Sequence, residues 1–400
     1  MKVLNSKWIG VELMVLLLCV LPLSIITQNF DRSIITGAER VEDYLPLLKD
    51  KKVGIVTNQT GIIKDVHLVD SLLSLEVDIV KVFAPEHGFR GKADAGEKVN
   101  DEVDEKTGLP ILSLYGKKNR KPSVEKLIDV DVLVFDLQDV GARFYTYIST
   151  LHYVMEACAE QNKPLIILDR PNPNGFYVDG PVLKKGSESF IGMHPVPIVH
   201  GMTIGEYAQM INGEKWLKDG IQCPLTVVKC AHYKHSDLYE LPVAPSPNLP
   251  NMAAVYLYPS LCLFEGTDVS VGRGTTKPFQ QYGAPYLDSD YSFVPEPMFG
   301  AKHPKREGET CYGIDLQEFG LGYLLTYRKL YLNWLVSAYD QSDKNNFFRK
   351  DGFFTLLTGD PKFKQMIENG MNAQEVWRTF HEEAVVFKKE VRSKYLLYEE

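Results

Sequence analysis

The chain has 400 residues, with 44 Lys and Arg against 52 Asp and Glu, a formal net charge of −8. Apolar residues make up 44% and charged residues 24%, which excludes disorder, collagen and bulk coiled coil and leaves room for two domains with their own cores. The acidic balance argues against nucleic acid as a main partner, because neutralising phosphates takes clustered Lys and Arg.

Lys2 and Lys7 precede an apolar run, Leu13 to Leu23, broken by Cys19 and Pro22. A charged start followed by about ten apolar residues reads as a secretory signal peptide, here 1–27, with the mature protein starting near Gln28. The expected location is therefore the periplasm or the cell exterior. The run falls short of the about 20 residues of a transmembrane helix, so a membrane enters only through this segment, as signal or anchor. Without Cys19, five cysteines remain at spacings that match no zinc pattern. Buried thiols are preferred to a Cys223–Cys230 disulfide.

A first domain is expected over 28–230. Residues 52–58, 78–83, 110–115, 131–136 and 164–169 read as strands, and 67–75 and 144–162 as helices. Strands apolar on both faces, alternating with helices, point to a parallel sheet covered by helices, a Rossmann-like α/β arrangement. No G-x-G-x-x-G follows the first strand, so no dinucleotide is expected, nor any other cofactor. Thr203, with Glu206 three residues on, reads as a capping box opening a helix over 203–212. Residues 225–230 read as a further strand. From Ala231 the chain turns rich in Pro, Tyr and Gly, and a second domain is placed over 231–400. There Trp334, Phe347, Phe348, Phe353 and Phe354 read as core.

Four strands of the first domain end in dense polar clusters. These are 58–61 with Asn58, 85–91 with Glu86, His87 and Arg90, 136–143 with Asp136, Gln138, Asp139 and Arg143, and 169–173 with Asp169, Arg170 and Asn172. Ligands of open α/β sheets bind outside the carboxyl ends of the strands, so these clusters mark one rim as a site. Glu86, on a turn between Pro85 and glycines, is the leading general acid, since a partly desolvated carboxyl can hold a proton. His87 can share that work or bind metal. Asp136 and Asp139 have metal-like spacing, but Gln138 and Arg143 beside them suggest an internally paired network, and no metal is assigned. Arg143 suits a substrate carboxylate. Tyr145 and Tyr147 suit a proton donor or a nucleophile, or one packs while the other caps the rim. His200, before the capped helix, can reach the same crevice. The second domain offers Asn248, Glu265 and Arg273.

The stretches 54–61, Pro85-Glu86-His87-Gly88-Phe89-Arg90-Gly91, 135–147, Asp169-Arg170-Pro171-Asn172-Pro173, Pro245-Ser246-Pro247-Asn248, Phe264-Glu265-Gly266-Thr267 and Gly272-Arg273-Gly274-Thr275 together resemble the NamZ family. These are bacterial exo-β-N-acetylmuramidases, long catalogued as a domain of unknown function. The likeness runs from about Lys51 to the C-terminus. It implies a Rossmann-like N-terminal domain, a smaller α+β C-terminal domain and an active-site cleft between them. It also implies release of N-acetylmuramic acid from the non-reducing end of peptidoglycan glycan fragments. The family's glutamate falls on Glu86 as general acid/base, and Tyr145 or Tyr147 is the first choice for the second group. The lactyl carboxylate of muramic acid needs a cation, for which Arg143, Arg170 and Arg273 are the candidates. On the residues alone, a sugar-binding protein without catalysis and a metal hydrolase using His87, Asp136 and Asp139 stay open.

Overall fold

Short runs of Val, Ile, Leu and Phe, too short for helices and apolar on both faces, set the centre of the molecule. The computed structural model describes residues 33–86, 88–90, 101–114, 116, 120–320, 322 and 325–400. The expected signal over 1–27, Cys19 and His87 lie outside them. Residues 35–400 form one compact unit. No helix among the described residues is long and apolar enough to cross a membrane.

The strands are β1 (Val53–Thr57), a hairpin of β2 (Ile62–Ile63) and β3 (Val66–His67), β4 (Ile79–Ala84), β5 (Glu102–Val103), β6 (Pro110–Ser113), β7 (Val132–Asp136), β8 (Leu165–Leu168) and β9 (Leu225–Val228). Seven form one sheet in the order β5-β6-β4-β1-β7-β8-β9. All its pairings are parallel except the short β5 edge. Numbered by their own sequence, the six parallel strands run 3-2-1-4-5-6, the Rossmann order.

Side chains alternate across this sheet with the period of 2 that strands impose. Val53, Ile55, Val132, Val134, Ile166 and Leu168 face one core, shared with helices α1 (Val41–Leu48) and α2 (Leu68–Ser74). Val56, Leu133, Phe135, Leu165 and Ile167 face the other. Helices α3 (Val124–Leu127), α4 (Tyr147–Glu160) and α5 (Ile204–Gly213) follow in the chain. The second core takes in the apolar faces of α4 and α5 and runs on without a break into the C-terminal half, through Tyr258, Phe264, Phe279, Trp334, Phe354 and Phe380. Truncating a buried ring such as Phe135 to Ala would cost about 3–5 kcal/mol.

That half holds α6 (Met252–Leu261), a three-stranded antiparallel sheet of β10 (Gln281–Ala284), β11 (Tyr291–Phe293) and β12 (Cys311–Asp315), then α7 (Asn333–Gln341), α8 (Phe353–Thr358), α9 (Pro361–Glu368) and α10 (Ala373–Glu390). The architecture is thus α/β with a smaller region carrying its own small sheet. Cys158, Cys223, Cys230, Cys262 and Cys311 are buried free thiols.

Two local differences from the sequence reading bear on the site. The helix expected over 144–162 begins at Tyr147, because the amide of Tyr145 bonds back to Ala142 and turns residues 142–145 toward the rim. Phe353, expected in the core, is only half-buried and lines the cavity described next.

Candidate active site

The chain leaves β1 for β4 on one side, then crosses back to place β7 on the other. Connections that part in opposite directions open a crevice at the carboxyl ends of β1 and β7. Asn58 follows β1 there and is fully buried. Its Nδ2 donates to the Tyr147 hydroxyl at 2.6 Å, and its Oδ1 accepts from Thr60, so this loop is held by its own side chain.

In front of Tyr147 lies a cavity of ≈ 930 Å³, within the range of small-molecule sites. Glu86, Tyr145 and Tyr147 contribute to its wall on the sheet side. Thr146 is the N-cap residue of α4, yet its side chain makes no cap bond. Its hydroxyl instead donates to Glu86 Oε2 at 3.3 Å. A half-buried carboxylate is thereby held at the mouth of a 14-residue helix. The positive end of that helix favours negative charge in the cavity.

Tyr147 and Tyr145 meet edge-to-face with centroids 4.9 Å apart. Tyr145 donates its proton to the carbonyl of Pro245 at 2.8 Å. Burial, and then the charge of Glu86, push the Tyr147 phenol well above its ordinary value against the opposing hydrogen bonds of Tyr145 and Asn58. Tyr147 is therefore a neutral phenol at neutral pH. It can donate a hydrogen bond, and it becomes a nucleophile only if a neighbouring base takes its proton.

The opposite wall comes from the C-terminal half. Arg273 Nε meets Glu265 Oε1 at 3.2 Å, with each side chain 24% exposed. Burial works against the Glu265 carboxylate, but Arg273 and Lys305 beside it hold it below the usual range. Asn248 lines the cavity while its amide donates to the carbonyl of Gly300 at 2.7 Å. Glu86, Tyr145, Tyr147, Asn248, Glu265 and Arg273 are thus brought together around one cavity.

The other candidates among the described residues are not on the wall. Asp136 and Arg170 are spent on each other in a buried pair, with Nη2 to Oδ2 at 2.9 Å and Arg170 also bound to the carbonyl of Ile62. Gln138 donates to the carbonyls of Asp139 and Pro171. Asn172 donates to Met202 and fills the space beside Gly141, where φ is +76° and a Cβ would lie 2.3 Å from its Oδ1. Arg143, expected to meet a carboxylate, is fully buried. Its guanidinium donates to four carbonyls, those of Pro181, Val196, Leu357 and Thr358. It fastens the Leu357 wall of the cavity to the sheet domain instead of reaching into it.

Asp169 takes Thr203 Oγ1, the amide of Gly205 and the hydroxyl of Tyr398. Arg90 stacks over Phe89 and pairs with Asp104 at 2.9 Å. His200 is buried 3.8 Å from Asp139, and burial, then Arg392 and Arg143, lower it to about 3. Asp139 accepts from the amide of Gly141 at 2.6 Å. Among the described residues no three His, Cys, Asp or Glu side chains gather as a metal ion needs.

The cavity also contains groups that sequence reasoning missed. Ser246 and Thr146 lie inside the motifs at 245–248 and 135–147. Arg120 and Phe190 carried no signal, since Lys-Lys-Asn-Arg-Lys reads as a solvated charge run. Tyr258 and Phe279 are buried rings of the core that show an edge to the cavity.

The N-terminal model of the exo-β-N-acetylmuramidase NamZ matches residues 53–253, and its C-terminal model matches residues 256–398. Peptidoglycan β-N-acetylmuramidase NamZ of Bacillus subtilis (strain 168) is 39% identical over 375 residues, 89% of this chain and 89% of that protein. Two crystal structures of DUF1343 family proteins from Bacteroides fragilis NCTC 9343 each cover 92% of this chain and 99% of their own. One has 45% identity and a TM-score of 0.85, the other 31% and 0.77.

Proposed function

The chain belongs to the NamZ family of exo-β-N-acetylmuramidases, and on that premise we propose that it is a glycoside hydrolase of peptidoglycan that releases N-acetylmuramic acid from the non-reducing end of glycan fragments. The observation that carries this reading is Glu86, a half-buried carboxyl held by Thr146 in a sugar-sized cavity beside a neutral tyrosine.

In the proposed reaction Glu86, ionised in the open cavity, enters the chemistry protonated once the bound sugar has displaced water, and gives that proton to the glycosidic oxygen as the bond to the anomeric carbon breaks and the bonding pair leaves with that oxygen. The ionised Glu86 then takes a proton from the water that attacks the anomeric carbon, which restores the acid. In this reading Tyr147 and the ionised Glu265, both on the cavity wall, stabilise the positive charge that develops on the sugar ring. Carboxylate and phenol oxygens do this through their negative lone pairs in a cavity partly closed to water.

Release of chromophore from a chromogenic β-N-acetylmuramide by the wild-type protein tests the activity. Glu86→Gln, folded by circular dichroism, should lower kcat by about 100- to 10,000-fold. Saturable binding of the muramide with no cleavage over long incubation would make the protein a binder, and full activity in Glu86→Gln would remove Glu86 from the chemistry.

A further inference from the structure

Arg120 lines the same cavity as Glu86 and Tyr147. Its guanidinium lies 3.9 Å from the centroid of the Phe190 ring. The cavity's other arginine among the described residues, Arg273, is engaged with Glu265, and Arg143 behind the Leu357 wall with four carbonyls. Arg120 has no carboxylate partner among the described residues, and its buried Nε has no hydrogen-bond partner. An Arg fork without an acceptor in a partly desolvated cavity is costly unless something fills it.

The position of that fork is fixed by the helix that carries the catalytic end of the cavity. Ser149 Oγ donates to the carbonyl of Phe190 at 2.7 Å, and Tyr153 stacks on the Phe190 ring. Thr146, three residues before Ser149, holds Glu86. The Arg120 platform is thus anchored about one helical turn, ~5 Å, beyond the anchor of Glu86. One pyranose ring with an ether arm covers that reach.

We propose that Arg120 recognises the lactyl carboxylate of the terminal muramyl residue and thereby selects muramides over N-acetylglucosaminides. This rests on the glycosidase reading above. The two sugars differ only in the lactyl ether, whose carboxylate matches the planar fork of a guanidinium stacked on Phe190. The lactyl group then fixes the ring so that its anomeric carbon faces Glu86.

The test compares wild type, Arg120→Gln and Arg120→Lys on a chromogenic β-N-acetylmuramide, its lactyl methyl ester and a β-N-acetylglucosaminide. Wild type should favour the muramide over the ester. Arg120→Gln should lose at least about 100-fold in kcat/KM on the muramide, mostly through KM, and little on the ester. Arg120→Lys should recover part of the preference. An unchanged ratio of muramide to ester in Arg120→Gln overturns the proposal while leaving the glycosidase reading intact. Equal losses on all three substrates also overturn it, because they describe a structural role. A wild type that cleaves none of the three fails at the glycosidase reading, and the assignment of Arg120 falls with it.

Discussion

Two tyrosines one residue apart read alike in the sequence, and their surroundings separate them. Tyr145 stays a neutral phenol and spends its O–H donating to the carbonyl of Pro245. Tyr147 accepts from Asn58 and keeps its own proton, with the charge of Glu86 close enough to raise its pKa. Tyr147→Phe should therefore lower kcat by about 100-fold or more. It should also cost ~1–3 kcal/mol, because Asn58 Nδ2 loses its acceptor in a buried place. Tyr145→Phe should cost ~1 kcal/mol and change kcat far less. Steady-state kinetics beside urea unfolding of both variants checks this, and a larger kcat loss in Tyr145→Phe would reverse the assignment. The same contrast explains Arg143. An Arg after a strand looks the same whether it faces a ligand or carbonyls, and two of its four acceptors lie 214 and 215 residues away in the chain.

Among the elements, those with a local signal were legible. Thr203 and Glu206 do form the capping box of α5, with both reciprocal bonds made. The strand runs 52–58, 78–83 and 131–136 correspond to β1, β4 and β7 within a residue or two. The C-terminal tail had no such signal, because it acts only on distant residues. After α10 it returns to the sheet domain, where the amide of Leu397 bonds Glu206 and the Tyr398 hydroxyl bonds Asp169 at 2.6 Å, 229 residues back. Asp169, read as a substrate group, is the socket for this tail. Its burial raises it to about 6 even with the bonds from Tyr398, Thr203 and Gly205. Tyr398→Phe should cost ~1–3 kcal/mol, seen as a lower Tm, with kcat and KM unchanged because Tyr398 is not on the cavity wall. A changed KM with an unchanged Tm would place the tail in binding instead.

On the scale of the whole molecule, the Rossmann order was readable because strands buried on both faces must be apolar throughout. The cleft was not, because one of its walls is drawn from segments 246–279 and 351–357, whose Pro, Tyr and Gly give no period. The fold also buries polar groups, and this makes stability depend on pH. Burial raises Asp139 to about 7, against the backbone bonds of Gly141 and Val140. In the unfolded chain its proton leaves near ~3.9. Between these values the fold binds more protons than the unfolded chain, so the Asp139 contribution is complete below ~4 and is lost as pH rises through about 7. His200 runs the other way. Burial lowers it to about 3, so its neutral form favours the fold above ~6.5 and that contribution fades as pH falls toward 3. His67, His152 and His194 are lowered as well, first by burial. The histidines therefore govern the acid side, and Asp139 opposes them up to neutrality. Asp139→Asn removes only the opposing member. Urea unfolding from pH 4 to pH 9 should show the variant gaining on wild type as pH rises, by up to a few kcal/mol, with the gain level above about pH 7. A difference that stays constant with pH would mean that Asp139 enters the fold already ionised, with a carboxyl no different from that of the unfolded chain.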